Sequence, residues 1–349
     1  MKLATLLLAA LLVTAGCAGS DSDDTAAVAR DRDATTTTAV DRSTTTVPDT
    51  GCPEPVDSRP ADAGPYAVGR AVVNYVDPSR RTEPSPASAR QASAGRVLPV
   101  AVLYPAVGDP ASAVVDDAAA AAGRFPLVVY SHGVSSSGME RHDALAQWVR
   151  AGYVVIAPTF PLSSAGSSDI TDLPNQPGDV MFVTETFRSQ VQDPDHPLHD
   201  RVLTDCLAVA GHSLGGATTL AAAFDPCCDS LEPDAVIDIA GVAVNLTPGA
   251  SFTEAESRPL LIVHGAQDAT VPISHSEQAF AELPGPRWFL TFPGGNHNSM
   301  FGPPEVQVMT ASVVAFLDAQ LKGSSTELDD LPALVDASGI ATLRIAPGN

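Results

Sequence analysis

The segment Cys206-Leu-Ala-Val-Ala-Gly-His-Ser-Leu-Gly-Gly216 decides the fold of this 349-residue chain. Its apolar first half predicts a buried strand, and the small residues that follow, 214–224, predict a helix. Between them the pattern Gly-x-Ser-x-Gly places Ser213 on a tight, strained turn, because glycines two residues on either side let strand and helix approach closely. Such a turn projects the hydroxyl from the carboxyl edge of a sheet, so the segment predicts Ser213 as a nucleophile.

Short apolar runs alternate with helical patterns along the rest of the chain from about residue 64. Strands that are apolar on both faces and separated by helices predict an α/β fold with a mostly parallel sheet covered on both sides. The first two strands, 67–75 and 97–104, lack an intervening helix, so we expect them to form an antiparallel edge. The other predicted strands are 127–131, 153–157, 206–211, 235–240, 260–264 and 287–292, and the predicted helices are 139–150, 179–191, 214–224, 277–283 and 305–321.

A serine nucleophile needs a base, and on a turn of this kind the acid and then the histidine follow the serine in the chain. Asp268 comes just after the predicted strand 260–264, and His297 follows strand 287–292 through Pro-Gly-Gly-Asn. Because the carboxyl ends of parallel strands meet at one edge, we expect Ser213, Asp268 and His297 to converge there as a catalytic triad.

Other residues compete for these roles. Asp238 is an alternative acid, although it lies within a predicted strand. His264 is interpreted as a structural histidine of its loop, and His275 as the start of a surface helix. His212 is interpreted as a packing neighbour of the turn, because a residue beside the nucleophile points elsewhere.

The predicted strand 127–131 ends in Ser131-His132-Gly133-Val134. On this kind of fold, one oxyanion donor is the amide after the nucleophile and the second comes from the loop after such a strand. We therefore expect the backbone amides of Val134 and Leu214 to form an oxyanion hole; the alternative is a plain glycine turn.

Five stretches together resemble the α/β-hydrolase superfamily: FPLVVYSHGVSSS at 125–137, AGYVVIAP at 151–158, GHSLGG at 211–216, LLIVHGAQDATVP at 260–272 and FPGGNH at 292–297. Within it, residues 64–321 resemble the branch of platelet-activating-factor acetylhydrolases and dienelactone-hydrolase-like proteins, and cutinases are similar in plan. The resemblance implies an α/β-hydrolase fold and esterase activity on small or short-acyl esters without a cofactor, and the stretch from 240 to 260 is too short for a large lid. True dienelactone hydrolases have a cysteine where this chain has Ser213.

The N-terminus predicts export. Lys2 precedes an apolar run, Leu3 to Val13, that is too short to span a bilayer as a mature helix. Thr14-Ala15-Gly16-Cys17 resembles a bacterial lipobox, in which Cys17 is lipidated, although Thr14 stands where an aliphatic residue is usual; the alternative is an ordinary secretory signal. Residues 18–63 are rich in Thr, Asp and Pro and predict a disordered tether before a catalytic domain at 64–349.

Charge and composition exclude several function classes. The net charge of −22 makes nucleic-acid binding improbable, because such a surface repels phosphate. With Lys2 and Lys322 as the only lysines, the chain lacks the Gly-Lys-Ser/Thr of a phosphate-binding P-loop. His196-Pro-Leu-His199, with nearby aspartates, is interpreted as a solvated acidic loop, and we expect no metal.

Four cysteines besides Cys17 remain for an oxidising compartment. Cys206 opens the nucleophile strand, while Cys227 and Cys228 follow the next helix, at the same pole of the strand–helix unit. We therefore expect a disulfide from Cys206 to Cys227 or Cys228, with Cys52 taking the remaining partner.

The predicted function is hydrolysis of carboxylic esters through an acyl-enzyme. We expect a monomer that acts on a small-molecule ester and meets the membrane through its lipid anchor only. Thioester, peptide or polyester hydrolysis on the same site is an alternative, as is a non-catalytic surface-binding lipoprotein. The loop 158–178 is expected to form one wall of an open pocket.

Overall fold

A ten-stranded sheet organises the part of the chain that the computed structural model describes, namely residues 52, 65–85, 87 and 92–348. The predicted signal peptide, the lipobox at Cys17 and, apart from residue 52, the tether lie outside these residues. The strands are β1 Ala67–Asp77, β2 Arg96–Ala106, β3 Val115–Asp116, β4 Phe125–Ser131, β5 Val154–Pro158, β6 Val202–His212, β7 Ala235–Ile239, β8 Leu260–Gly265, β9 Arg287–Phe292 and β10 Thr342–Ala346.

The strand order is β10-β9-β8-β7-β6-β4-β5-β2-β1-β3. The six strands from β9 to β5 in that order run parallel, whereas β2 pairs antiparallel with both β1 and β5. This confirms the predicted α/β-hydrolase fold, a mostly parallel sheet with an antiparallel edge. The C-terminal tail contributes β10, which pairs antiparallel with β9 and makes a second antiparallel edge.

Helices cover both faces of the sheet. They are α1 His142–Arg150, α2 Gln176–Gln190, α3 Leu214–Phe224, α4 Ser274–Glu282, α5 Glu305–Leu321, α6 Thr326–Asp329 and α7 Leu331–Ser338. Apolar side chains of α1 and α5, such as Trp148 and Phe316, pack in the core on one face. Those of α2 and α3, such as Phe187 and Leu220, pack in the core on the other. Every residue of β4, β5, β7 and β8 is buried, as expected for parallel strands covered on both sides.

Three predicted helices begin elsewhere, and one of them, predicted at 277, begins at Ser274. The helix predicted at 139 begins at His142, after turns at 134–141. The helix predicted at 179 begins at Gln176 with Pro177 in its first turn, where a proline's missing N–H costs nothing. Within the described residues, no helix has the length and apolarity needed to cross a membrane.

The parallel strands place three loops at one edge. Ser213 directly follows β6, Asp268 follows β8 and His297 follows β9. The turn at Gly133 follows β4, the neighbour of β6, at the same edge.

Candidate active site

Ser213 occupies a strained turn between β6 and α3. Its backbone angles are φ 59° and ψ −119°, a combination that a non-glycine residue adopts only when its surroundings enforce it, at a cost of about 1–3 kcal/mol. Hydrogen bonds on both sides hold it: its N–H donates to the Ile239 carbonyl at 2.9 Å, and its carbonyl accepts from Ala217 N–H at 3.1 Å. The turn therefore presents the hydroxyl at the N-terminus of α3.

The glycines around Ser213 allow backbones to pass close together. A Cβ on Gly211 would overlap the carbonyl of Gly215, across the turn. A Cβ on Gly215 would overlap the carbonyl of Ser131, at the end of the neighbouring strand β4. Both positions thus need glycine for steric reasons, as the pattern predicted.

The imidazole of His297 lies between a hydroxyl and a carboxylate. Its Nε2 is 2.9 Å from Ser213 Oγ, and its Nδ1 is 2.6 Å from Asp268 Oδ2. An ionised carboxylate only accepts hydrogen bonds, so Nδ1 carries the proton and Nε2 presents its lone pair to the hydroxyl. The structure thus brings together the three side chains that the sequence singled out, in an arrangement that can move a proton from Ser213 to His297.

Asp268 is held by its own loop. Its Oδ1 accepts from the amides of Thr270 at 2.7 Å and Val271 at 2.9 Å, while Oδ2 faces His297. Burial acts to raise the pKa of Asp268, but the Val271 amide and His297 outweigh it, so the pKa lies below its ordinary value. The carboxylate therefore stays ionised where it can stabilise an imidazolium.

His264 is a buried support of the same loop. Its Nε2 lies 3.0 Å from the Val271 carbonyl and 3.2 Å from Asp268 Oδ2, and its Nδ1 is 2.7 Å from the Ser276 hydroxyl. Burial lowers the pKa of His264, which favours the neutral form. These contacts match the structural role expected for it, whereas His275 lies in the first turn of α4.

His212 supports the base directly, which the sequence did not indicate beyond packing. Its Nε2 lies 2.9 Å from the His297 carbonyl, and the two imidazole rings are 4.8 Å apart between centroids. Burial and the neighbouring His297 lower the pKa of His212 to about 3, so at neutral pH the ring is uncharged and donates Nε2–H to that carbonyl. Phe301 packs against the His212 ring in a T-shaped arrangement, with centroids 4.9 Å apart.

The expected oxyanion amides flank Ser213. Gly133 passes so close that an added Cβ would lie 3.2 Å from the Ser213 Cβ, and the amide of Val134 follows it. Leu214 is the first residue of α3, where backbone N–H groups lack helical partners. Among the residues that the structure describes, none accepts a hydrogen bond from the Val134 or Leu214 amide. Both are thus available to an oxygen bound beside Ser213.

His132 fixes the turn that carries Val134, a role that the sequence did not reveal. Its Nδ1 lies 2.7 Å from the Gly133 carbonyl, and its Nε2 accepts from Phe160 N–H at 3.0 Å. Burial lowers the pKa of His132 to about 4, so the ring is neutral and Nδ1 donates. The His-Gly pair after a buried strand was the sequence signal for such a turn. The sequence could not show that the hydrogen-bond partner of His132 would be Phe160, in the loop after β5.

Asp238 does not take the role of the acid. Its side chain is fully buried, with Oδ1 against Gly216 and Gly241, while His297 Nδ1 bonds to Asp268. Burial raises the pKa of Asp238 to about 7. The sequence alternative is therefore wrong, because Asp238 faces the first turn of α3 instead of the imidazole.

The loop 158–178 is attached to the oxyanion turn. Ser135 N–H donates to the Ser163 carbonyl at 2.6 Å, and Ala165 N–H donates to the Ser136 carbonyl at 2.9 Å. Under the loop, the buried Arg96 binds the carboxylates of Asp172 at 2.9 Å and Asp179 at 2.6 Å. This network holds the predicted pocket wall next to Val134.

The two histidines of the acidic loop at 193–200, His196 and His199, have different contact partners. The ring of His196 packs edge-on against Phe187, and His199 lies 3.3 Å from the exposed Asp200. Throughout the described residues, no cluster of three or more His, Cys, Asp or Glu side chains is arranged to hold a metal.

The predicted disulfide pairing is wrong. Cys227 is bonded to Cys228, its neighbour in the short 3₁₀ helix Pro226–Leu231, and Cys52 and Cys206 are free. Cys206, Cys227 and Cys228 were expected at one pole of the strand–helix unit, but Cys227 and Cys228, as neighbours in the chain, pair with each other instead. The sequence also does not show that Cys52 contacts Asp234 of the catalytic domain.

Comparisons with known proteins agree with this fold. Residues 98–261, which include Ser213 but end before Asp268 and His297, match the model of a family described as chlorophyllase. The uncharacterized protein YfhR of Escherichia coli O157:H7 is 23% identical over 207 residues, which cover 54% of this chain and 69% of that protein. A ferulic acid esterase from Streptomyces cinnamoneus is similar in structure, with a TM-score of 0.59 and 21% identity over 80% of this chain and 96% of that one. The similar solved structure supports the α/β-hydrolase fold described above.

Proposed function

We propose that this protein is a serine hydrolase that cleaves carboxylic esters through an acyl-enzyme. The observation that carries the proposal is the continuous relay from Ser213 Oγ to His297 Nε2 at 2.9 Å and from His297 Nδ1 to Asp268 Oδ2 at 2.6 Å. A nucleophile, a base and an orienting carboxylate at these distances form the constellation used for acyl transfer.

In the first half of the reaction, Ser213 Oγ attacks the ester carbonyl while His297 Nε2 takes the hydroxyl proton. The carbonyl oxygen gains negative charge and is bound by the amides of Val134 and Leu214. His297 then gives its proton to the leaving alkoxide, so the alcohol departs and the acyl group stays on Ser213.

In the second half, His297 takes a proton from a water molecule, which attacks the acyl-enzyme, and then gives that proton to Ser213 Oγ as the bond to the acyl group breaks and the acid is released. Asp268 stabilises the imidazolium in both halves and keeps the proton on Nδ1 in the resting state. No cofactor enters these steps.

The substrates are small or short-acyl esters. Residues 240–259, all described, form no helix longer than the three-residue Phe252–Glu254, so no inserted lid domain lies between β7 and β8. Phe160 is buried beneath the pocket wall, whereas Ile170 and Leu173 remain partly exposed on it. The esterase title of the similar solved structure fits this class of reaction.

A substrate panel tests the proposal. Purified protein is assayed with p-nitrophenyl acetate, butyrate and palmitate, with an acyl thioester, a peptide anilide and polyester film. We expect the highest kcat/KM on the two short esters and its loss in Ser213→Ala, while Ser189→Ala, an exposed serine of α2, retains it. Folded protein that is inert on every substrate would instead support a non-catalytic binding lipoprotein.

The protein acts outside the cytoplasm, anchored to the membrane through a lipid on Cys17. The apolar run before Cys17 and the lipobox-like residues support this location. Expression in a bacterial host with labelled palmitate tests it: wild type should take up label and sediment with membranes, and Cys17→Ser should do neither. Unlabelled protein with a cleaved N-terminus would point to an ordinary secretory signal.

A further inference from the structure

Cys52 and Cys206 form an unbonded pair beside β6, the strand that leads to the nucleophile. The Cys52 thiol lies 3.7 Å from Asp234 Oδ2, and the same oxygen accepts from the amide of Leu207, the residue after Cys206, so the two thiols lie close together although about 150 residues separate them in the chain. They are also the two free cysteines of the described residues, since Cys227 and Cys228 are bonded to each other. A long-range contact between two thiols is the geometry from which a disulfide forms.

The carboxylate of Asp234 contacts both segments that carry these cysteines. Its Oδ2 accepts from the Leu207 amide at 2.9 Å, next to Cys206, and lies 3.7 Å from Cys52 Sγ. Contact with the Cys206 thiol, burial and the Asp234 carboxylate together raise the pKa of the Cys52 thiol. The thiolate is therefore scarce, which slows uncatalysed oxidation, whereas a disulfide carries no charge and escapes this penalty.

The two sulfurs differ in access. Cys206 is fully buried within β6, while Cys52 is half-buried and can be reached from solvent. Exchange with an external disulfide thus has a defined order, with Cys52 reacting first and Cys206 second.

We propose that Cys52 and Cys206 form a disulfide that ties the segment before the catalytic domain to β6. The oxidant is an external disulfide, of a thiol oxidoreductase or a small molecule. Cys52 sulfur, losing its proton, attacks one sulfur of that disulfide and displaces the other as a thiolate. Cys206 sulfur, also deprotonated, then attacks Cys52 in the mixed disulfide and displaces the second thiolate. The protein loses two protons and two electrons, and the oxidant gains both to become two thiols.

The bond would lie away from the chemistry. Cys206 is the fifth of the eleven residues of β6, whereas Ser213 follows the carboxyl end of that strand, seven residues further along the chain. Oxidation should therefore stabilise the fold without changing kcat.

The test uses the full chain, reduced and then incubated with glutathione disulfide. We expect peptide mapping to find a Cys52–Cys206 cross-link, with Tm higher by about 5–10 °C than in the reduced protein. Cys52→Ser, which alters only a half-buried side chain, should lose the cross-link and that rise in Tm. A double variant with Cys227→Ser and Cys228→Ser should retain both. Asp234→Asn should form the bond several-fold faster, because it removes the neighbouring negative charge.

Other outcomes overturn the proposal. They are Cys52 and Cys206 remaining open to alkylation after oxidation, Cys206 cross-linked to Cys227 or Cys228, and a glutathione adduct that stays on Cys52. None of them depends on whether the protein hydrolyses esters.

Discussion

Replacing Asp268 by asparagine should disable the base while leaving its position intact. Oδ1 of Asp268 accepts from two backbone amides, Thr270 and Val271, so the single oxygen of an asparagine would remain there. The NH₂ group would then face His297 Nδ1. A donor at that point requires Nδ1 to accept, which moves the imidazole proton to Nε2. Nε2 would then direct a hydrogen at Ser213 and could no longer take its proton.

We expect Asp268→Asn to lower kcat by about 10⁴, because loss of the correct tautomer has this effect in serine triads. That factor corresponds to about 5.5 kcal/mol of transition-state stabilisation. KM should change by less than about threefold, since Asp268 touches the imidazole and not the ester. The measurement is steady-state hydrolysis of p-nitrophenyl acetate at pH 7 to 8.

The matched control is Asp238→Asn, which changes a buried carboxyl that faces α3. It should keep kcat within about tenfold of wild type. A loss of less than tenfold in folded Asp268→Asn, or a larger loss in Asp238→Asn, would refute the assignment of the acid.

Three further predictions concern the residues around the relay. Gly215→Ala should lower the free energy of unfolding by about 1–3 kcal/mol in urea titration, because the added Cβ overlaps the Ser131 carbonyl; an unchanged midpoint would contradict this. His132→Ala should lower kcat by about tenfold to a hundredfold, since the turn carrying Val134 loses its anchor; unchanged turnover would contradict it. The pKa values of His132 and His212 are lowered to about 4 and about 3, so each histidine's contribution to stability is complete above about pH 6.5 and is lost as pH falls towards those values. Urea unfolding at pH 7 and pH 5 should show a loss of about 2 kcal/mol per histidine, and a flat profile would count against buried neutral rings.

Much of the fold could be predicted because local patterns determine it. The Gly-x-Ser-x-Gly pattern is a local signal that predicts the turn from a few consecutive residues. The structure shows why glycine is needed there, since a Cβ on Gly211 or Gly215 would overlap a backbone carbonyl. The convergence of Ser213, Asp268 and His297 followed from one rule, that parallel strands end at the same edge.

The remaining features depend on contacts between distant segments. His132 and His212 act through the backbone of Gly133 and His297, which neither composition nor spacing reveals. The predicted cysteine pairing was wrong for the same reason, because the sequence does not show that Cys52 lies beside Asp234 and β6. The pairing of the C-terminal strand β10 with β9 had no sequence signal.

Labelling with a fluorophosphonate probe, followed by peptide mass mapping, measures the reactivity of Ser213 most directly. The relay predicts one adduct, on Ser213, that forms in wild type, slows in Asp268→Asn and is absent from Ser213→Ala. Folded wild-type protein that stays unlabelled, or an adduct on another residue that persists in Ser213→Ala, would contradict the proposed nucleophile.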